Sequence, residues 1–125
     1  QTQQCLTRRN IDLNEIILVK GWYSETLNEK TIRSYNLRKI GLVFIDCDTY
    51  SSSKVVLDFL TPLITEPVIF CFDDWKLNDL DIKEMGEYRS FNEFLENNPH
   101  LEAKEMQSYN RKSKSFLVRP LKKYV

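Results

Sequence analysis

The chain has 125 residues, Lys plus Arg and Asp plus Glu each total 18, and hydrophobic residues make up 42% of it. That length holds one domain, 1–125, and buries roughly two-thirds of the surface of the unfolded chain, so a real core forms. The balanced charge excludes the electrostatic footprint of a nucleic-acid binder or of a protein held on an acidic membrane, and no apolar run approaches the ~18 residues of a membrane span. Cys5, Cys47 and Cys71 form no CxxC pair and are odd in number. With no signal-peptide pattern at the N-terminus, a reduced protein in the cytoplasm is the expectation. A lone histidine, His100, and scattered cysteines make no zinc site.

Residues 1–10 (QTQQCLTRRN) read as the tail of a helix that Asn10 stops. IILV at 16–19 predicts a short buried strand ended by Lys20 and Gly21, and Ser24 is placed to cap one helical turn. Residues 31–39 are polar and weakly patterned. Two apolar runs dense in Val, Ile and Phe follow, GLVFID at 41–46 and PVIFCF at 67–72. Runs of this kind read as strands buried on both faces. Between them Val55, Val56, Phe59, Leu60 and Leu63 recur at helical spacing, with Pro62 bending or ending the helix. Met85, Tyr88, Phe91, Phe94 and Leu95 mark a second amphipathic helix that stops at Asn97-Asn98-Pro99. Strands near 101–108 and 115–119 flank a short polar connection and predict an antiparallel hairpin, so the basic tail RKSKSFLVRPLKKYV is a last strand with solvated ends. The fold class is α/β, a mostly parallel sheet with an antiparallel C-terminal hairpin.

The informative feature is where the acids fall. The first apolar run delivers Asp46 and Asp48, the second Asp73 and Asp74. A buried strand cannot hold an unpaired carboxylate in its middle. At the carboxyl tips of two parallel strands, carboxylates converge on the crevice where open α/β sheets bind ligands. Acids gathered there repel one another unless a hard cation lies between them. The bland alternative is that Asp46 or Asp48 merely caps the following helix. Trp22, Tyr23 and Trp75 are candidates to line an acceptor pocket, against the commoner role of core aromatics.

Three motifs in order, VKGWYSETL at 19–27, Asp46-x-Asp48-x-Tyr50-x-Ser52, and Asp73-Asp74-Trp75, resemble the macrocin O-methyltransferase (TylF/MycF-like) family of class I S-adenosylmethionine-dependent methyltransferases. The likeness runs from about residue 8 to residue 119. It implies a partial Rossmann-like sheet and metal-dependent transfer of a methyl group from S-adenosylmethionine to a hydroxyl of a sugar or similar small molecule. By position it assigns magnesium to Asp46, Asp73 and Asp74, and it leaves Asp48 as the candidate general base beside Asp46. The family's glycine-rich cofactor turn has no counterpart, because Gly21, Gly41 and Gly86 stand apart. The resemblance is therefore to the C-terminal half or two-thirds of such an enzyme, with the cofactor-binding residues unassigned.

Other readings of the same acids exist. Haloacid-dehalogenase-like magnesium phosphotransferases follow an apolar strand with Asp-x-Asp-x-Thr, but Thr49 stands one position early. The metal-gripping Asp-x-Asp of nucleotide-sugar glycosyltransferases does not account for Asp73 and Asp74. A non-catalytic methyltransferase-like module would keep the metal and lose the cofactor. A strand at 41–46 with no strand on its other flank also implies that residues 16–19, or another chain in a homo-oligomer, pair with it.

Overall fold

The structure, a computed structural model, describes residues 1–122; Lys123 to Val125, the end of the basic tail, lie outside them. A four-stranded sheet carries the fold, with strands β1 (Leu42–Ile45), β2 (Val68–Phe72), β3 (Leu101–Met106) and β4 (Lys114–Pro120) in the order β1-β2-β4-β3. β1 and β2 run parallel, and the other pairings are antiparallel. The C-terminal hairpin forms as the sequence predicts, with Asn110 Oδ1 accepting from the backbone N–H groups of Lys112 and Ser113 in the turn.

Helices α4 (Tyr50–Leu60) and α5 (Gly86–Asn97) cover one face of this sheet. Thr49 caps α4 by accepting from Ser52 N–H, and Thr61–Leu63 continue it as a 3-10 turn around Pro62. Val43, Ile45, Val68, Phe70, Phe72 and Val118 meet Leu57, Leu60, Phe91 and Phe94 from the helices in one core. The rings interlock: Phe91 lies 4.6 Å from Phe116 and 4.9 Å from Phe72 between centroids. Trp75 is buried among them, so its role is core rather than pocket lining. Where α4 crosses α5, the Ser53 and Ser90 hydroxyls share a buried hydrogen bond of 2.7 Å. Small side chains there let the helices approach closely.

Two sequence expectations about strands fail, and one about a helix cap. Residues 16–19 join no strand, and Ile17, Leu18 and Val19 are exposed. The run is short and lies next to a 3-10 turn at Leu13–Glu15, with no neighbouring strand to supply ladder hydrogen bonds. Second, β1 is buried on one face only: Val43 and Ile45 point into the core, whereas Leu42 and Phe44 are 64% and 57% exposed. Both helices lie on the same side, which leaves the other face of β1 uncovered. Before the sheet, α1 (Thr2–Arg8), α2 (Tyr23–Thr26) and α3 (Glu29–Ser34) bury no residue. Asn10 ends α1 region at φ 56°, a turn its short polar side chain tolerates. Ser24 sits inside α2, whose N-cap is Trp22; Trp22 and Tyr23 are exposed. Among the described residues no helix is long and apolar enough to cross a membrane.

Leu57 is fully buried, so Leu57→Ala is expected to cost about 3 kcal/mol through lost transfer energy and a cavity. Leu42→Ala on the bare face is expected to change stability by less than about 0.5 kcal/mol. Urea denaturation of the two variants checks the contrast.

Candidate functional site

β1 and β2 end side by side. Ile45 is in register with Phe72, and Asp73 N–H donates to Ile45 O at 3.0 Å, extending the parallel ladder by one rung. The next residue on each strand is acidic. Strand alternation then separates the two acids of β2. Val68, Phe70, Phe72 and Asp74 continue one face and are all buried, while Asp73 is half-buried toward the other. There Tyr109, tilted against Phe44, donates from Oη to Asp73 Oδ1 at 2.8 Å. Burial and the Asp73 carboxylate both push the Tyr109 hydroxyl pKa well up, so it stays a donor.

After β1 the chain turns at Asp48, which has φ 56°, and enters α4. One carboxylate oxygen each from Asp46, Asp48 and Asp74 then lies within 4.8 Å of the other two. Asp46 and Asp48 are exposed, whereas Asp74 is 8% exposed. Capping does not explain them, since Thr49 caps α4. Of the sequence-assigned metal set, Asp46 and Asp74 come together, while Asp73 is held by Tyr109. Asp48, assigned as a base candidate, completes the cluster.

Beneath the cluster lies Glu87, in the first turn of α5 and fully buried. Its Oε2 accepts from Asp74 N–H at 3.1 Å and so fixes the turn that carries Asp74. Glu87 Oε1 and Asp74 Oδ2 are both buried without a hydrogen-bond partner. Burial first, and then the Asp74 charge, push the Glu87 carboxyl up to about 8. Asp74 rises to about 6 chiefly because Asp48 is close enough to share a proton with it, and then through its own burial. Burial pushes the Cys47 thiol up to about 12, so it is a neutral small hydrophobe rather than a ligand. Among the described residues no Lys or Arg forms an ion pair with any of these acids.

A site with converging carboxylates, no basic partner and an orphaned buried Asp74 oxygen has the donor set of a hard divalent cation. Glu87 and Tyr109 were missed in the sequence. Each stands far along the chain from the strand tips, in an element whose acid or tyrosine reads as ordinary helix or hairpin composition.

No family model matches the chain, and no curated protein does. Among solved structures it is similar to an O-methyltransferase from Bacillus cereus in complex with SAH, with a TM-score of 0.65 and 17% sequence identity over 94% of this chain. The match covers 56% of that protein, so this chain spans a little over half its length. What the two share is the fold, a Rossmann-like α/β sheet of which this chain carries part.

The raised acids set the response to pH. An acid whose pKa is higher folded than unfolded binds its proton more tightly when folded. Its stabilising effect is complete below the unfolded value and is lost as pH rises through the folded one. For Glu87 that window runs from 4.5 to about 8. In EDTA, melting temperature is expected to fall across this range, and Glu87→Gln, which keeps an acceptor for Asp74 N–H, is expected to flatten the decline. Thermal melts from pH 5 to 9 check both.

Proposed function

We propose that this chain is the metal- and acceptor-binding part of an S-adenosylmethionine-dependent O-methyltransferase, of the kind the macrocin O-methyltransferase family represents, acting on a hydroxyl of a sugar or similar small molecule. The observation that carries this reading is the convergence of Asp46, Asp48 and Asp74 within 4.8 Å at the carboxyl tips of two parallel strands. Asp46, Asp48 and Asp74 would hold magnesium; when bound, it supplies the positive charge that lowers the pKa of a neighbouring hydroxyl. Asp46 and Asp48 are exposed, so a small molecule in solution reaches them. The backbone of Asp74 is fixed from below by Glu87. Asp48 is the acceptor for the hydroxyl proton. Asp73, the remaining ligand by family position, lies outside the cluster and accepts from Tyr109 through Oδ1. The free thiols of Cys5, Cys47 and Cys71 fit a reducing, cytoplasmic setting.

A non-catalytic module is the second reading, and the isolation of Gly21, Gly41 and Gly86 favours it for the 125-residue chain by itself. Without a glycine-rich turn to present backbone N–H groups, this chain has no evident seat for the carboxylate and ribose of the methyl donor. Both readings keep the cation.

Titration calorimetry with manganese is expected to find one site that Asp46→Asn, Asp48→Asn or Asp74→Asn weakens at least about tenfold. Asp73→Asn and Asp58→Asn are expected to spare it. Equal losses in all five would reduce the site to a general charge effect. The same chain is expected to bind S-adenosylmethionine no more tightly than about 1 mM, and micromolar binding would overturn the assignment of the missing contacts.

A further inference from the structure

We infer that Tyr50, tethered to α5 by Glu93 and Arg89, is a positioning residue for the acid cluster: it holds the turn at Asp48 closed on Asp74 against the repulsion of their carboxylates. The inference rests on the cation reading proposed above and adds to it a residue that touches no metal.

Of the three acids, Asp48 has the least to hold it. Asp46 follows directly on Ile45, whose carbonyl accepts from Asp73 N–H, and the backbone of Asp74 is gripped by Glu87. Asp48 is exposed and stands in a tight turn at φ 56°, a conformation that residues with a Cβ disfavour. Thr49 N–H donates to Cys47 O at 2.6 Å across that turn. Left to itself, such a turn opens and carries its charge away from the other two acids. What resists opening must come from the helix that starts two residues later.

Tyr50 opens that helix, and its side chain crosses to α5. Its Oη donates to Glu93 Oε2 at 2.5 Å, and Glu93 Oε1 accepts from Arg89 Nε at 2.9 Å. The Arg89 guanidinium lies 4.8 Å from the centre of the Tyr50 ring. The three side chains form a closed ring of contacts in which each fixes the other two. Hydrogen bonds from Tyr50 and then Arg89 hold the Glu93 carboxyl below its ordinary value, so it stays an acceptor. Packing alone does not call for this network, because α4 and α5 already meet in the core and at the Ser53–Ser90 hydrogen bond. α5 therefore holds both strand-tip turns, one through Glu87 and the other through Glu93, and sets the spacing between Asp48 and Asp74. Fixed spacing of carboxylates separates a site matched to a small hard cation from a mobile patch of charge.

Titration calorimetry with manganese on a double-mutant cycle tests this. Tyr50→Phe keeps the ring and every charge, should keep the circular dichroism of the fold, and is expected to weaken manganese binding about tenfold. Ser53→Ala, which removes the Ser53–Ser90 hydrogen bond, is expected to lower the melting temperature and leave manganese affinity within about twofold. Because Tyr50 acts through Asp48, adding Tyr50→Phe to Asp48→Asn is expected to cost less than about twofold beyond Asp48→Asn alone. Manganese binding that Tyr50→Phe leaves intact overturns the positioning role and spares the cation reading. A loss shared by Ser53→Ala, or kept in full in the Asp48→Asn background, overturns it too, since Tyr50 would then act by packing or by another route. No manganese binding by the unaltered chain overturns the cation reading itself, and this inference with it.

Discussion

Mutual repulsion among carboxylates is the constraint around which this structure is arranged. Parallel pairing of β1 with β2 brings two acid-terminated strands to one place, and among the described residues no lysine or arginine forms an ion pair with them. The fold concentrates the cost on Asp74 and Glu87, both buried and both with carboxyl pKa values pushed up. A protein that placed stability first would put a neutral or apolar residue at Glu87. Buried acids without basic partners are arrangements that local stability does not favour, and such departures from consistency gather at functional sites. The orphaned oxygens of Asp74 and Glu87 are the structural mark of that conflict.

Glu87 ties the conflict to the rest of the fold. Its backbone belongs to α5, whose Phe91 and Phe94 lie in the core, while its side chain grips the backbone of Asp74. Packing of α5 against the sheet is thus transmitted to Asp74 through one hydrogen bond. On the far face, Tyr109 does the corresponding work for Asp73, from the loop joining β3 and β4. The two acids of one dipeptide are held in opposite directions by elements distant in sequence.

Much of this was legible in the sequence because the physics is local. The strands 42–45 and 68–72, the helix behind Thr49 and the helix ending at Asn97 follow from apolar periodicity and their stop residues. That the acids ending the two parallel strands, Asp46 and the Asp73-Asp74 pair, meet at one sheet edge follows from right-handed crossover between them. What was not legible depends on partners. IILV has the composition of a strand, but a strand exists only against a neighbour, and residues 16–19 have none. The choice between Asp73 and Asp74 was available from alternation: extending the buried series Val68, Phe70, Phe72 by one step lands on Asp74. Glu87 and Tyr109 carried no local signal, since their roles arise only when α5 and the hairpin turn close over the strand tips. The similarity to a solved O-methyltransferase at 17% identity extends the fold and not the chemistry, so the proposed metal rests on the acid cluster itself.

Anomalous diffraction from a manganese-soaked crystal tests the central claim most directly. The account predicts one strong peak bonded to carboxylate oxygens of Asp46, Asp48 and Asp74, with Asp73 still hydrogen-bonded to Tyr109. A crystal with no peak between the tips of β1 and β2, at manganese concentrations that saturate other exposed acids, would contradict it.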